Sequence, residues 1–160
     1  MKLLIVAYWK LNPTSQKEAK TLFDAVKSVV RSARAQVVIC PPFLYLAKLK
    51  GLTLGAQNIF YKDGGAFTGE ISGAMMRDIK VKYVIVGHSE RRKYFFETNE
   101  IINKKIAVAF ENNLIPILCI GEDDCQDKVV ILEQQIKECL AGMSAKQVRT
   151  MVIAYEPVFA

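Results

Sequence analysis

The 160-residue sequence is 51% hydrophobic and 24% charged. That balance excludes a disordered or fibrous chain and suits one domain, residues 1–160, with a real core. The net charge of +6 comes from 22 Lys and Arg scattered along the chain, with no basic run longer than Arg91-Arg92-Lys93. A solvated basic surface with some attraction for small anions follows, rather than a nucleic-acid-binding face.

The apolar run Leu3 to Trp9 is too short to span a membrane, and no small-residue cleavage pattern follows it. The cysteines, Cys40, Cys119, Cys125 and Cys139, form no CxxC pair and have no histidine at ligand spacing. A zinc site and a membrane partner are therefore not expected, and the predicted location is cytoplasmic.

Leu3 to Ala7 reads as a strand buried on both faces, closed by Tyr8-Trp9-Lys10 and broken at Pro13. Ser15 and Glu18 have capping-box spacing, and the helix they open carries Leu22, Phe23, Val26, Val29, Val30 and Ala33 as its apolar stripe. Gln36 to Cys40 is a second strand, and Pro41-Pro42 starts a short helix through Leu44 and Leu46. Leu54 to Gln57 is a short third strand. A loop from Asn58 to Ser72 follows, long enough to suggest a functional or contact arm.

Tyr83 to Val86 is the fourth strand, followed by Gly87 and a charged, helix-prone segment. Thr98 caps a helix with Ile102, Ile106, Ala109 and Phe110 on one face. Leu114 to Ile120, a helix from Val129 to Leu140, a capping box at Ser144 and Gln147, and a strand from Met151 to Tyr155 complete the chain. Strands alternating with helices in this way imply a parallel α/β sheet, doubly wound or closed as a barrel.

Three of these strands end in chemistry. Lys10 follows the first, His88 the fourth and Glu156 the sixth, and a parallel sheet brings all three to one edge. His88 is the single histidine of the chain. Taken alone it reads equally as a turn cap and as a site residue. A carboxylate, an imidazole and an ammonium together suit proton abstraction beside a carbonyl.

The segments Tyr8-Trp9-Lys10-Leu11-Asn12, Gly55-Ala56-Gln57-Asn58, Gly65 to Glu70, Gly87 to Arg92, Cys119-Ile120-Gly121-Glu122 and Tyr155-Glu156-Pro157-Val158 resemble the triosephosphate isomerase family in order and spacing. The resemblance covers essentially the whole chain. It implies a (β/α)8 TIM barrel, here incomplete with about six of its eight βα units. It also implies interconversion of dihydroxyacetone phosphate and glyceraldehyde 3-phosphate through an enediolate, without a cofactor, in a homodimer. By resemblance Glu156 is the general base, His88 the neutral electrophile and Lys10 the substrate-binding cation, in a family that is the standard example of such pKa tuning. Glu90 lies beside the site, either acting there or simply complementing the helix dipole, and Ser89 starts that helix. Thr68 stands near the tip of the dimer arm.

Two departures accompany the resemblance. Tyr8 stands where the family has an asparagine that lines the substrate pocket, so a larger side chain crowds that pocket; Phe159 replaces a tryptophan at the start of the lid. The sequence stops at Ala160, inside the first hinge of that lid. The expectation is an incomplete copy of the enzyme, with two unpaired sheet edges, interior-facing apolar side chains turned to water, and no measurable isomerisation by the 160 residues alone. The alternative is a decayed, non-catalytic barrel that persists by associating with another chain.

Overall fold

Short β-branched and aliphatic runs become the strands β1 (Leu4–Tyr8), β2 (Gln36–Cys40), β3 (Thr53–Ala56), β4 (Tyr83–Val86), β5 (Ile115–Ile120) and β6 (Val152–Tyr155). The computed structural model describes residues 3–30, 33–123 and 127–157. Between the strands lie α1 (Gln16–Val30), α2 (Phe43–Leu46), α3 (Gly73–Asp78), α4 (Ser89–Phe95), α5 (Asn99–Glu111), α6 (Lys128–Cys139) and α7 (Ala145–Thr150). Every neighbouring pair is parallel and the strand order is the sequence order, β1 to β6. This is the sheet of an incomplete (β/α)8 barrel, curled with its helices outside.

The period of two along each strand divides the apolar residues between two cores. Val38 and Cys40 of β2, Tyr83 and Ile85 of β4, and Ile117 and Cys119 of β5 pack together on the concave side. Their neighbours Ile39, Val84, Val86, Leu118 and Ile120 face the helices and meet Phe23, Ile102, Ile106 and Ala109 there. A continuous apolar strand is thus required, because both faces are covered.

Local signals act as expected at several helix starts. Ser15 Oγ accepts from the backbone N–H of Glu18, Thr98 Oγ1 from Ile101, and Ser144 with Gln147 forms a complete capping box. Two expectations change. On α1 the buried positions are Ala19 and Phe23, whereas Leu22 and Val29 are exposed: the stripe seated on the sheet is narrower than the apolar content of the helix. The long loop ends in a short helix, α3, that has no marked apolar period of its own: Ser72 is its N-cap and accepts from Met75 N–H.

The edge strands match the expectation in their pairing and differ from it in their burial. Among the described residues β1 and β6 each pair on one side only. Their concave-side residues Leu4, Val6, Val152 and Ala154 are nonetheless partly buried, because the curl of the sheet shelters them. The apolar groups left in water are Ile5, Ile153 and Tyr155, on the convex side, where cover requires a helix. Among the described residues no helix is long and apolar enough to cross a membrane.

Candidate active site

The turn after β4 sets the centre of the site. Gly87 turns the chain at φ +73°, where a Cβ would stand 3.1 Å from the Cys119 carbonyl oxygen and 3.2 Å from Ile102, so the left-handed turn and the tight packing both demand glycine. His88 then becomes the N-cap of α4, its Nδ1 accepting the backbone N–H of Glu90 at 3.2 Å. A ring nitrogen that accepts carries no proton, so the neutral ring holds its proton on Nε2. Nε2 lies 2.7 Å from Glu156 Oε1 and donates to it. The two readings of His88 therefore coexist: one nitrogen caps the helix and the other serves the site.

Glu156 follows Val152 and Ala154 on the concave side and is anchored by its own N–H to the Ile120 carbonyl at 2.8 Å. Its Oε1 also accepts the Ser89 hydroxyl at 3.0 Å. Burial pushes this carboxyl upward, but the hydrogen bonds from His88 and Ser89 outweigh it, and the group sits below the ordinary glutamate value. Gly121 packs so closely that a Cβ there would lie 1.9 Å from the Glu156 carbonyl oxygen. Gln135 of α6 clamps this glycine from behind, accepting its N–H at 2.9 Å and donating to its carbonyl at 2.8 Å.

Lys10 holds a left-handed backbone, φ +52°, which a non-glycine residue keeps only when its surroundings enforce it. Gln57, just beyond β3, provides that hold: its Nε2 donates to the Lys10 carbonyl at 2.9 Å and to the Cys40 carbonyl at 2.8 Å. The Lys10 ammonium donates to Glu90 Oε1 at 2.9 Å, and this bond raises its pKa. Glu90 thus does two things, complementing the α4 dipole from the first turn and fixing the lysine head. Its second oxygen lies 3.6 Å from His88 Nδ1, a nitrogen already engaged as an acceptor, so no ion pair forms there.

Tyr8 points to the concave side at the end of β1 and packs with Cys40 and Cys119. Its ring meets the imidazole of His88 edge to face, centroids 4.9 Å apart and planes at 74°. Burial first, and then the negative charge of Glu90, push its phenol up to about 12, so it stays a neutral group.

The structure accordingly gathers Tyr8, Lys10, His88, Ser89, Glu90 and Glu156 at the C-terminal edge of the sheet. Thr68 is not among them: it occupies an exposed turn of the long arm, and among the described residues no hydrogen bond ties it to the site. Phe159 and Cys125 lie outside the described residues. A cavity of about 410 Å³ is lined by Ser89, Arg92, Cys119, Gly121, Gln135 and Glu156 but not by Lys10 or Tyr8.

Several supporting residues were not foreseen. Arg92 donates to the Gly87 carbonyl at 2.7 Å and to Asn99 Oδ1 at 2.6 Å, pinning the turn that carries His88 to the start of α5. Behind it Glu97 Oε1 accepts from both Arg91 and Lys105, and Lys105 also reaches Asn58 Oδ1 at 2.6 Å. Gln57 had a signal of the same kind as Lys10 and Glu156, a polar residue just past a strand. The buried charges of Glu97, between α4 and α5, and of Lys105 on α5 had none, since charged residues usually face water.

A parallel sheet curled this way, with acid, imidazole and ammonium on its C-terminal edge, places the chain in the class of (β/α)8 barrels, at the edge where such barrels carry their chemistry. The sequence model described as triosephosphate isomerase matches residues 3–160, and the chain belongs to that family. Over 98% of its length it is 42% identical to the triosephosphate isomerase of Moorella thermoacetica. Over 99% it is 42% identical to that of Clostridium tetani, and over 98% it is 46% identical to that of Clostridium botulinum strain Loch Maree. It spans about two thirds of these relatives, 67%, 66% and 67% of their lengths respectively.

Proposed function

We propose that this site interconverts dihydroxyacetone phosphate and glyceraldehyde 3-phosphate by proton transfer through an enediolate. The observation that supports it best is the pairing of His88 Nε2–H with Glu156 Oε1 at 2.7 Å, beside the Lys10 ammonium. Substrate entry replaces that hydrogen bond, placing the carbonyl oxygen on Nε2–H and the adjacent carbon beside the carboxylate. Glu156 takes the proton from that carbon, and the C–H electron pair becomes the new double bond. The carbonyl oxygen gains negative charge, which the imidazole N–H and the lysine ammonium stabilise. His88 Nε2 gives its proton to that oxygen and takes the one on the hydroxyl oxygen of the adjacent carbon, which becomes the new carbonyl, while the same carboxylic acid returns its proton to the neighbouring carbon, so the atoms balance without a cofactor.

In this reading Glu156 is the base, His88 the electrophile and Lys10 the cation that holds the substrate, while Ser89 and Glu90 position Glu156 and Lys10. Tyr8 lines the pocket. The arm from Asn58 to Ser72, with Thr68 exposed on it, is the surface offered to a second copy of the chain in a homodimer. The setting is the cytoplasm, and neither nucleic acid nor membrane takes part.

One observation favours the non-catalytic alternative, a chain acting by association: the ring of Tyr8 stands directly against His88. Solvent isotope exchange separates the two readings more sensitively than turnover. Even where net isomerisation is too slow to measure, incubation with dihydroxyacetone phosphate in deuterated water should place deuterium on the carbon beside the carbonyl, and Glu156→Gln should slow this by about a hundredfold or more. Exchange absent from the unsubstituted chain, or undiminished in Glu156→Gln, would leave the non-catalytic reading standing.

A further inference from the structure

His88 is only 3% exposed. A side chain that must polarise a substrate oxygen cannot be reached until something beside it moves. Among the described residues three groups meet the ring. The Glu90 N–H occupies Nδ1 as part of a helix cap, and that nitrogen is not the one needed. The Glu156 carboxylate occupies Nε2, but it is polar and its side chain is 30% exposed, so a ligand oxygen can displace it without stranding a buried charge. The third is the Tyr8 ring. It belongs to the concave core, follows Leu4 and Val6 along β1, and is held at the level of Cys40 by the β1–β2 register. At a centroid distance of 4.9 Å the two rings are in van der Waals contact, with no space for a ligand atom between them. Among the described residues the Tyr8 hydroxyl makes no hydrogen bond, so its polar end does not fix the ring in place; packing does.

We propose that Tyr8 sets the clearance over His88, and that it restricts the site to a ligand that approaches the imidazole from the Glu156 side alone. The inference rests on the reading of this site as one for a small phosphorylated carbonyl compound. It adds that the ring, not the phenolic hydroxyl, limits how tightly such a compound binds. A planar enediolate that would lie across the imidazole meets the ring edge, and either the ligand tilts or the β1 end gives way. Overpacking of this kind is costly because close-packed neighbours cannot yield independently.

His88 provides its own readout, since a chain with one histidine gives one set of imidazole resonances. The probe is 2-phosphoglycolate, whose carboxylate has the planar two-oxygen shape of an enediolate, titrated while the His88 ring signals are followed by NMR. Tyr8→Ala is expected to tighten binding by about tenfold or more, and Tyr8→Phe, which keeps the ring, to give no such gain. Tyr8→Asn repeats the measurement with a polar replacement, and urea midpoints report whether each variant holds its fold. Equal affinity in the unsubstituted chain and Tyr8→Ala overturns the role of Tyr8 while leaving the site reading intact. A gain in Tyr8→Phe overturns it in favour of the hydroxyl. Unfolding of both small variants overturns it in favour of a core residue. No perturbation of His88 in any of them overturns both readings.

Discussion

Replacing Glu97 by glutamine tests whether the ion cluster behind the site holds the fold together. The carboxylate side chain is 5% exposed and that of Lys105 is 4% exposed; the Arg91 side chain is 24% exposed. One oxygen, Oε1, accepts from both cations, while Oε2 has no partner among the described residues. Glutamine keeps the shape but removes the charge, and it puts an N–H₂ group where either terminal atom finds no additional acceptor. Lys105 is then left with Asn58 as its remaining partner.

Breaking a buried pair by neutralising one member costs about 3–5 kcal/mol, because the other charge stays buried. With a urea slope of about 2 kcal/mol per molar, a loss of about 4 kcal/mol lowers the midpoint by about 2 M. The pH dependence adds a second signature. Burial already holds the Lys105 pKa below its ordinary 10.5, with the Glu97 hydrogen bond pulling it partly back. Between the folded and unfolded values the unfolded chain binds more protons, so stability rises with pH across that window. Removing Glu97 widens the window downward. The deficit of Glu97→Gln should therefore shrink as pH is raised towards 10.5, where Lys105 loses its charge in both states. A midpoint lowered by less than about 0.5 M at neutral pH, or a deficit independent of pH, would refute the reasoning.

Gly121→Ala should destabilise the chain by about 1–3 kcal/mol and shift the His88 imidazole signals, because the new methyl would begin 1.9 Å from the Glu156 carbonyl and must push the β6 end away; unchanged His88 signals would show that the Glu156 position does not depend on this contact. Glu156 predicts an acid-side effect. Its carboxyl lies below the ordinary 4.5, so the stability it supplies is full above that value and is lost as pH falls through the folded value. The urea midpoint should fall more steeply below pH 4.5 in the unsubstituted chain than in Glu156→Gln, and parallel slopes would count against the His88 and Ser89 hydrogen bonds.

What the sequence determined by itself was everything carried by local periodicity. Buried strands such as Tyr83–Val86 announce themselves because both faces must be apolar, and caps such as Thr98 and Ser144 because the first N–H groups of a helix need an acceptor nearby in the chain. The convergence of Lys10, His88 and Glu156 was legible for a related reason: parallel strands share a direction, so residues just past three strand ends must meet at one edge. Only the tertiary structure decided how those groups are used. It assigned Nδ1 of His88 to the helix cap and Nε2 to Glu156, gave Glu90 to Lys10, and set the Tyr8 ring against the imidazole. Each of these is a contact between residues at or just past the ends of different strands, 68 to 80 positions apart, except the cap itself. Lys105 and Glu97 make the point most sharply. Nothing in their neighbours along the chain distinguishes them from solvated charges, and burial became tolerable only because packing brought opposite charges together.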